Sequence, residues 1–320
     1  MKISRVLLAA ATATLLASPV LAQTKSVAIT AIVEHPALDA TRDGVIAALK
    51  DAGFTPGEGL KVDYQSAQGN PATAAQIARQ FVGQRPDVIV PISTPSAQAV
   101  AAATRDVAVV FTAVTDPVSA QLVKSMEKPG GNVTGLSDMA PVGAHVALIQ
   151  EIVPAAKRLG VVYNPGEPNS VAMVKVLKDE AAKKGLAVVE AAANKSSEVQ
   201  TAGRSLVGKV DAIYVPLDNT VVSALESLVA VGAQAKLPVF SADTDSVARG
   251  AVASIGFDYF QVGKQTGAVV ARILKGEKPG DIPVEVAKGT DLFVNAKSAA
   301  AMGVTIPESV AKRATKTVGQ

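Results

Sequence analysis

Short bursts of hydroxyl, carboxylate and amide residues recur along this chain, each closing an apolar run and opening a helical one. They are Glu34-His35-Pro36, Ser93-Thr94-Pro95-Ser96, Thr115-Asp116-Pro117, Asn164-Pro165-Gly166-Glu167, Asp218-Asn219-Thr220 and Asp243-Thr244-Asp245. Thr94-Pro95-Ser96 suits an anion. Proline is preorganised for the first helical position, and the free N–H groups of that turn stand beside two hydroxyls. Thr115 adds a hydroxyl and turn N–H groups. Asp116, Asp218 and Asp243 each follow a strand-like run, and a sheltered carboxylate makes a charge-assisted hydrogen bond to a cation. Ser, Thr and Asp also cap helices, and Asp218 before Asn219 and Asp243 before Thr244 suit that role equally. Asn164 and Asn169 flank a Pro-Gly turn and offer amides, as does Asn219, while Tyr163 suits the core. His35 and Leu38 read as pocket wall, and Asp39 as charge at a helix start. His145 falls mid-helix with no acidic or histidine partner at i±4 and reads as a surface residue.

The runs between the bursts alternate strand and helix. Val27–Val33 is a buried strand, and Leu38–Ala52 a helix with Leu38, Val45, Ile46 and Leu49 at helical spacing, closed by Gly53. A strand at Leu60–Tyr64, a helix at Pro71–Val82, a strand at Asp87–Ile92, a helix at Pro95–Thr104 and a strand at Val107–Phe111 follow. After Pro129-Gly130-Gly131-Asn132 the pattern restarts. Val133–Leu136 leads to further strands at Arg158–Tyr163, Leu186–Glu190, Ala212–Val215, Val239–Phe240 and Ala251–Ile255. Helices are predicted between them, including Thr220–Ala235 and a last long one over Tyr259–Leu274. Such alternation predicts parallel strands with right-handed crossovers. Two halves are also alike: Asp87–Ile92 before Ser93-Thr94-Pro95 resembles Asp211–Pro216 before Leu217-Asp218-Asn219. In an open parallel sheet the bursts all stand on the rim beyond the carboxyl ends of the strands, where ligands bind. Three bursts in each half predict two rims facing across a cleft.

Composition narrows the function. Lys2 and Arg5, apolar Val6–Leu16 and small residues at Val20-Leu21-Ala22 predict a cleaved export leader over residues 1–22. Its apolar stretch is shorter than the ~20 residues of a spanning helix. The chain has no cysteine, which excludes disulfides, thiolate metal sites, a cysteine nucleophile and a lipid-modified cysteine after the leader. Two distant histidines make a transition-metal site improbable, and no cofactor is expected. Without Lys2 and Arg5, the 31 basic residues become 29 against 28 acidic, a formal charge of +1. With no basic run, nucleic acid is not an expected partner. About 300 remaining residues predict two domains.

The stretches Glu34–Asp39, Thr94–Gln98, Phe111–Pro117, Gly135–Asp138, Tyr163–Ser170 and Asp218-Asn219 closely resemble ABC-transporter substrate-binding proteins of the tryptophan/tyrosine type. The likeness runs from about Val27 to about Val284. It implies the α/β fold of type I periplasmic binding proteins, with two doubly wound parallel-sheet lobes, three hinge strands and a ligand trapped between. It also implies periplasmic localisation, an aromatic amino acid as ligand, and delivery to an ABC permease in the inner membrane. The monomer is the expected form. For such a ligand the hydroxyls and turn N–H groups of Thr94, Ser96 and Thr115 are expected to hold the carboxylate from the first lobe, and similarity to amino-acid binders of this fold implies Asp218 or Asp243 for its ammonium from the second. The lobes are expected over residues 23–137 with 257–284, and 138–256 with 285–320.

Two other readings are weighed. An exported α/β hydrolase or phosphatase would draw on Asp243-Thr244-Asp245, but there is no Gly-x-Ser-x-Gly elbow, P-loop or dinucleotide fingerprint. A sensor would present the same two-lobed fold to a receptor in place of a permease.

Overall fold

The computed structural model describes residues 24–319, so the expected leader lies outside the described residues. In chain order the first elements are β1 (Lys25–Ala31), α1 (Pro36–Asp51), β2 (Thr55–Pro56), β3 (Gly59–Ser66), α2 (Pro71–Gln84), β4 (Val88–Ile92), α3 (Thr94–Ala103), β5 (Ala108–Val114) and β6 (Val133–Ser137). The middle of the chain supplies α4 (Val142–Ile152), β7 (Arg158–Tyr163), α5 (Pro168–Lys183), β8 (Ala187–Ala192), α6 (Val199–Leu206), β9 (Ala212–Val215), α7 (Asn219–Ser223), α8 (Leu225–Ala235), β10 (Val239–Ser241), α9 (Asp245–Ala248) and β11 (Ala253–Gly256). The remainder is α10 (Tyr259–Leu274), β12 (Glu285–Val286), β13 (Asp291–Asn295), α11 (Ala296–Ala301), α12 (Glu308–Ala311) and β14 (Lys316–Val318).

The first sheet is wholly parallel, in the order β12-β6-β5-β4-β1-β3-β2. Its order reverses about β1, as a doubly wound sheet requires, and its central strands are buried along their length, consistent with helices on both faces. The second sheet is parallel, in the order β10-β9-β7-β8. A third, smaller sheet departs from the predicted pattern: β11 pairs antiparallel with β13, which pairs parallel with β14. The strand expected to continue the second sheet at Ala251–Ile255 therefore starts a separate mixed sheet with the C-terminal segment.

Buried apolar side chains form two clusters. One joins β1 through β6 with α10 and the segment to Ala287. The other joins α4 through β11 with residues between Leu292 and Val310. Glu285–Val286, expected in the second lobe, pair instead with Leu136 and Ser137 at the edge of the first sheet. Ala287 adds its N–H to Ser137 O at 2.7 Å, so the chain leaves the first sheet only after it.

Two local departures bear on the cleft. The single helix expected over Thr220–Ala235 is two, broken at Ala224 (φ −123°, ψ 26°). There α7 is held by its N-terminus, while α8 follows its own apolar residues Leu225, Leu228 and Val231 into the second core. The pairing of β5 with β6 slips between Phe111 and Val114, where Ala113 takes φ 51°. A bulge of this kind re-aims the end of a strand. Finally, α1 and α10 pack backbone to backbone. A Cβ on Gly44 would stand 2.1 Å from Phe260 O, and one on Gly263 2.1 Å from Thr41 O, so only glycine permits this approach. The start of α10 is thereby fixed on the first lobe.

Candidate ligand-binding cleft

The strand ends place a row of side chains on the first rim. Following the sheet order β6-β5-β4-β1, Asp138, Thr115, Ser93 and His35 come from the ends of four adjacent strands. At a strand spacing of about 4.8 Å the outer two of these strands lie about 14 Å apart. Facing them are Asn169 on α5, Leu217, Asp218, Asn219 and Val222 around α7, and Asp243 after β10. Together with Ala37, Leu38, Ala113 and Tyr259 these line one cavity between the two cores.

Several polar atoms of this region are buried without a partner on the protein: His35 Nδ1, Ser93 Oγ, Asp138 Oδ1 and Asn169 Oδ1 in the lining, and Thr94 Oγ1 and Ser96 Oγ behind it. Buried polar groups are otherwise paired almost without exception, so this concentration makes the cavity the candidate ligand site. Ser93 also takes φ 76° just ahead of α3, whose first turn receives no side-chain cap. Backbone strain of this type in a non-glycine residue gathers at binding sites. The N-terminus of α3, with free N–H groups and three unpaired hydroxyls, is built for an anion.

The carboxylates divide by their engagement. Asp218 accepts from Asn164 N at 2.6 Å, Ser170 Oγ at 2.6 Å and Val221 N at 2.8 Å. Asp243 accepts from Ser241 Oγ and Ser246 Oγ, both at 2.7 Å, and from Ser246 N at 2.8 Å. Both line the cavity, yet both serve as caps and ties within the second lobe. Asp138 is different: Oδ2 accepts from Tyr259 Oη at 2.8 Å, and Oδ1 faces the cavity unpaired. Burial drives the Asp138 carboxyl up to about 6, against the pull of the hydrogen bond from Tyr259. Burial likewise pushes His35 below the ordinary histidine range, opposed by Asp243 across the cleft. His35 is thus neutral at pH 7 and offers Nδ1 as an uncharged partner.

The other expected site residues fall away from the cavity. Asp116 holds the turn after β5, accepting from Ser119 N at 3.0 Å and Ser119 Oγ at 2.6 Å. Asn164 ties β7 to α7, its side chain donating to Thr220 Oγ1 at 2.9 Å. Asp39 pairs with Arg42 at 3.1 Å on α1. Tyr163 is only partly buried and donates to Glu190 at 2.6 Å, so it is not a core filler.

His145 is not on the surface. It is 2% exposed and bridges Tyr214 Oη at 2.7 Å and Ile255 O at 2.5 Å. It shares a helix face with Leu148, Ile149 and Ile152, an i+3, i+4, i+7 set that marks a buried stripe. Its bond to a carbonyl requires a proton on Nε2, so Tyr214 donates to Nδ1. Burial lowers its pKa to about 4. Because the folded value lies below the unfolded one, the stability tied to neutral His145 is full above pH 6.5 and declines as the pH falls toward 4. Between pH 7.5 and 5 the loss is about 2 kcal/mol. Melting of the wild type and His145→Gln at the two pH values checks this, with a smaller pH-dependent drop expected in the variant.

Half of the lining was not among the expected ligand-binding residues: Ala37, Ser93, Ala113, Asp138, Leu217, Val222 and Tyr259. Asp138 had a usable signal. It follows a strand directly, but Met139-Ala140-Pro141 separates it from the next helix, so the strand–burst–helix pattern passes over it.

Comparison with known proteins agrees with this architecture. Residues 26–318 match the family model for ABC transporter substrate binding protein. The chain belongs to that family. A tyrosine-binding protein of Clostridioides difficile (strain R20291) is 44% identical over 271 residues, covering 85% of this chain and 79% of that one. The structure of an ABC domain in complex with L-Trp from Streptococcus pneumonia is 36% identical. It superposes with a TM-score of 0.89, covering 92% of this chain and all of that one. The ligand-free, open structure of a substrate-binding protein with adhesive properties from Clostridium difficile is 42% identical. Its TM-score is 0.69, with coverage of 91% and 98%. The family member with lower identity but bound ligand is therefore the better match in shape. The fold is that of type I periplasmic binding proteins.

Proposed function

We propose that this chain is the exported, periplasmic binding component of an ABC import system, holding an aromatic α-amino acid between two lobes and releasing it unchanged to an inner-membrane permease. The observation that carries the reading is the cavity itself, where unpaired buried polar atoms from both lobes stand among apolar walls. Ser93 and the first turn of α3, with Thr94 and Ser96 behind, take the carboxylate. Asp138 and Thr115 take the ammonium, a change from the expected Asp218 or Asp243, whose oxygens are already engaged. The ring extends along the rim toward His35 and Leu38, with Leu217 and Val222 opposite and Asn169 at its edge.

The tyrosine-binding relative and the L-Trp complex support an aromatic ligand. The better superposition on the complex than on the open structure supports a closed arrangement here and hence hinge closure. We divide the lobes as residues 24–137 with 257–287, and 138–256 with 288–319, joined by three crossings. No chemistry on the ligand is proposed: Asp243 of the Asp-Thr-Asp sequence is spent on Ser241 and Ser246. Among the described residues no three His, Cys, Asp or Glu gather as a metal site.

Calorimetry of the mature monomer tests the reading with L-tyrosine, L-tryptophan and L-phenylalanine beside tyramine and 3-(4-hydroxyphenyl)propionate. One site is expected for the amino acids, and weak or no binding for the analogues lacking a carboxylate or ammonium. Recovery of an altered ligand, or binding of tyramine as tight as tyrosine, would remove it.

A further inference from the structure

Asp138 and Tyr259 lie on different crossings between the lobes. Asp138 follows β6, its N–H donating to Val114 O at 3.2 Å. Tyr259 opens α10, just beyond the end of β11. The base of Tyr259 is rigid: Asp258 accepts from Phe260 N at 2.9 Å and Gln261 N at 3.2 Å. Thr244 Oγ1 donates to Phe257 O at 3.1 Å. The body of α10 lies against α1 with no room for a Cβ at Gly263. From this base the Tyr259 hydroxyl, itself buried, donates to Asp138 Oδ2.

A buried carboxylate with no cation beside it keeps its charge through donated hydrogen bonds. Around Asp138 the donated side-chain bond comes from Tyr259, with no Lys, Arg or His contributing. The charged groups facing Tyr259 are Asp138, Asp243 and Asp245. All three oppose a phenolate, so Tyr259 remains a protonated donor.

We propose that Tyr259 is the positioning residue of the ammonium site: its hydroxyl turns Asp138 Oδ1 to the ligand and keeps that carboxylate ionised. The proposal rests on the reading that Asp138 meets the ligand ammonium. The consequence appears in the pH dependence of binding. The ammonium needs the ionised carboxylate, so affinity falls about tenfold per pH unit below the pKa of Asp138 in the unliganded protein. Burial raises that value, and the Tyr259 hydrogen bond lowers it. Without the phenolic hydroxyl the carboxyl protonates at a higher pH, and binding is lost earlier on acidification.

The experiment is calorimetric titration with L-tyrosine and L-tryptophan between pH 5.0 and 8.5. The proteins compared are the wild type, Tyr259→Phe, Asp138→Asn and protein carrying 3-fluorotyrosine at position 259. The Tyr259→Phe protein is expected to bind within a few-fold of wild type at pH 8.5. Its decline should begin about one pH unit higher, so that the deficit widens toward tenfold at pH 5. The fluorinated phenol is a stronger donor with the same contacts, so its decline should begin at lower pH than wild type; it also serves where the Phe variant melts. Profiles that keep the wild-type onset in both altered proteins overturn the proposal while leaving the ammonium assignment standing. Wild-type affinity in Asp138→Asn overturns that assignment itself, and the proposal with it.

Discussion

Asp138→Asn is expected to weaken binding of an aromatic amino acid by roughly a hundredfold or more at pH 7.5, with the melting temperature of the unliganded protein unchanged or raised. The two parts of this result have one cause. In the empty cavity the carboxylate is buried with one oxygen unpaired and its pKa pushed up to about 6, so its charge costs stability at neutral pH. In the complex the same charge meets an ammonium. Truncating one partner of a buried charge pair costs about 2–5 kcal/mol, and an amide of the same shape leaves the cation without its counter-charge. Asp218→Ala and Asp243→Ala should behave in the opposite way. Each removes an acceptor from three protein donors, so each lowers the melting temperature, and affinity falls only as far as the cleft wall is disturbed. Titration and melting curves on the three variants decide between them. A large loss of affinity at unchanged stability in Asp218→Ala or Asp243→Ala would return the ammonium to the second lobe.

The frame of this protein is legible from the sequence because its strands are short, apolar and punctuated. The βα alternation, the end of α1 at the Gly53 turn and the span Tyr259–Leu274 follow from periodicity and breakers that act locally. The helix start proposed for the ligand carboxylate is visible for the same reason: Thr94-Pro95-Ser96 declares it, and α3 begins there. The groups proposed for the ammonium are not. Asp138 and Tyr259 meet across 121 residues of sequence, and no local pattern records that. His145 reads as a surface residue when only the missing acidic or histidine partner at i±4 is weighed, whereas its spacing from Ile149 and Ile152 places it on the buried face. Asp218 and Asp243 were rightly placed on the rim, but whether a rim carboxylate faces a ligand or a neighbouring hydroxyl depends on three-dimensional partners such as Ser170 and Ser246. The fold is written in residue types and spacing, and the division of labour among the acids only in contacts.

Glu167→Ala should be the most damaging single change outside the first lobe, lowering the stability of the second by about 3 kcal/mol and affinity along with it. Glu167 is 5% exposed, and its carboxylate takes five donors. Oε1 accepts from Thr220 N at 2.9 Å and Thr220 Oγ1 at 2.7 Å. Oε2 accepts from Asn219 N at 3.0 Å, Asn219 Nδ2 at 2.5 Å and Asn169 Nδ2 at 3.1 Å. It therefore pins the start of α7 to the β7–α5 loop and sets two cavity amides, Asn169 and Asn219, in place. Alanine strands several buried donors at about 1–3 kcal/mol each, partly relieved by local relaxation. A loss of about 3 kcal/mol corresponds to a fall of roughly 6–12 °C in melting temperature. One term works the other way. Burial, and then the nearby Glu167, push the Asp218 carboxyl up to about 8, so ionising Asp218 costs the folded state free energy as pH rises through that value. Removing Glu167 eases this repulsion, which exists only once Asp218 is charged. The deficit of the variant should accordingly be largest near pH 6 and shrink by pH 8.5. Melting curves at both pH values measure it; a deficit that grew with pH would mean that Glu167 stabilises the charged form of Asp218, and the network would have to be redrawn.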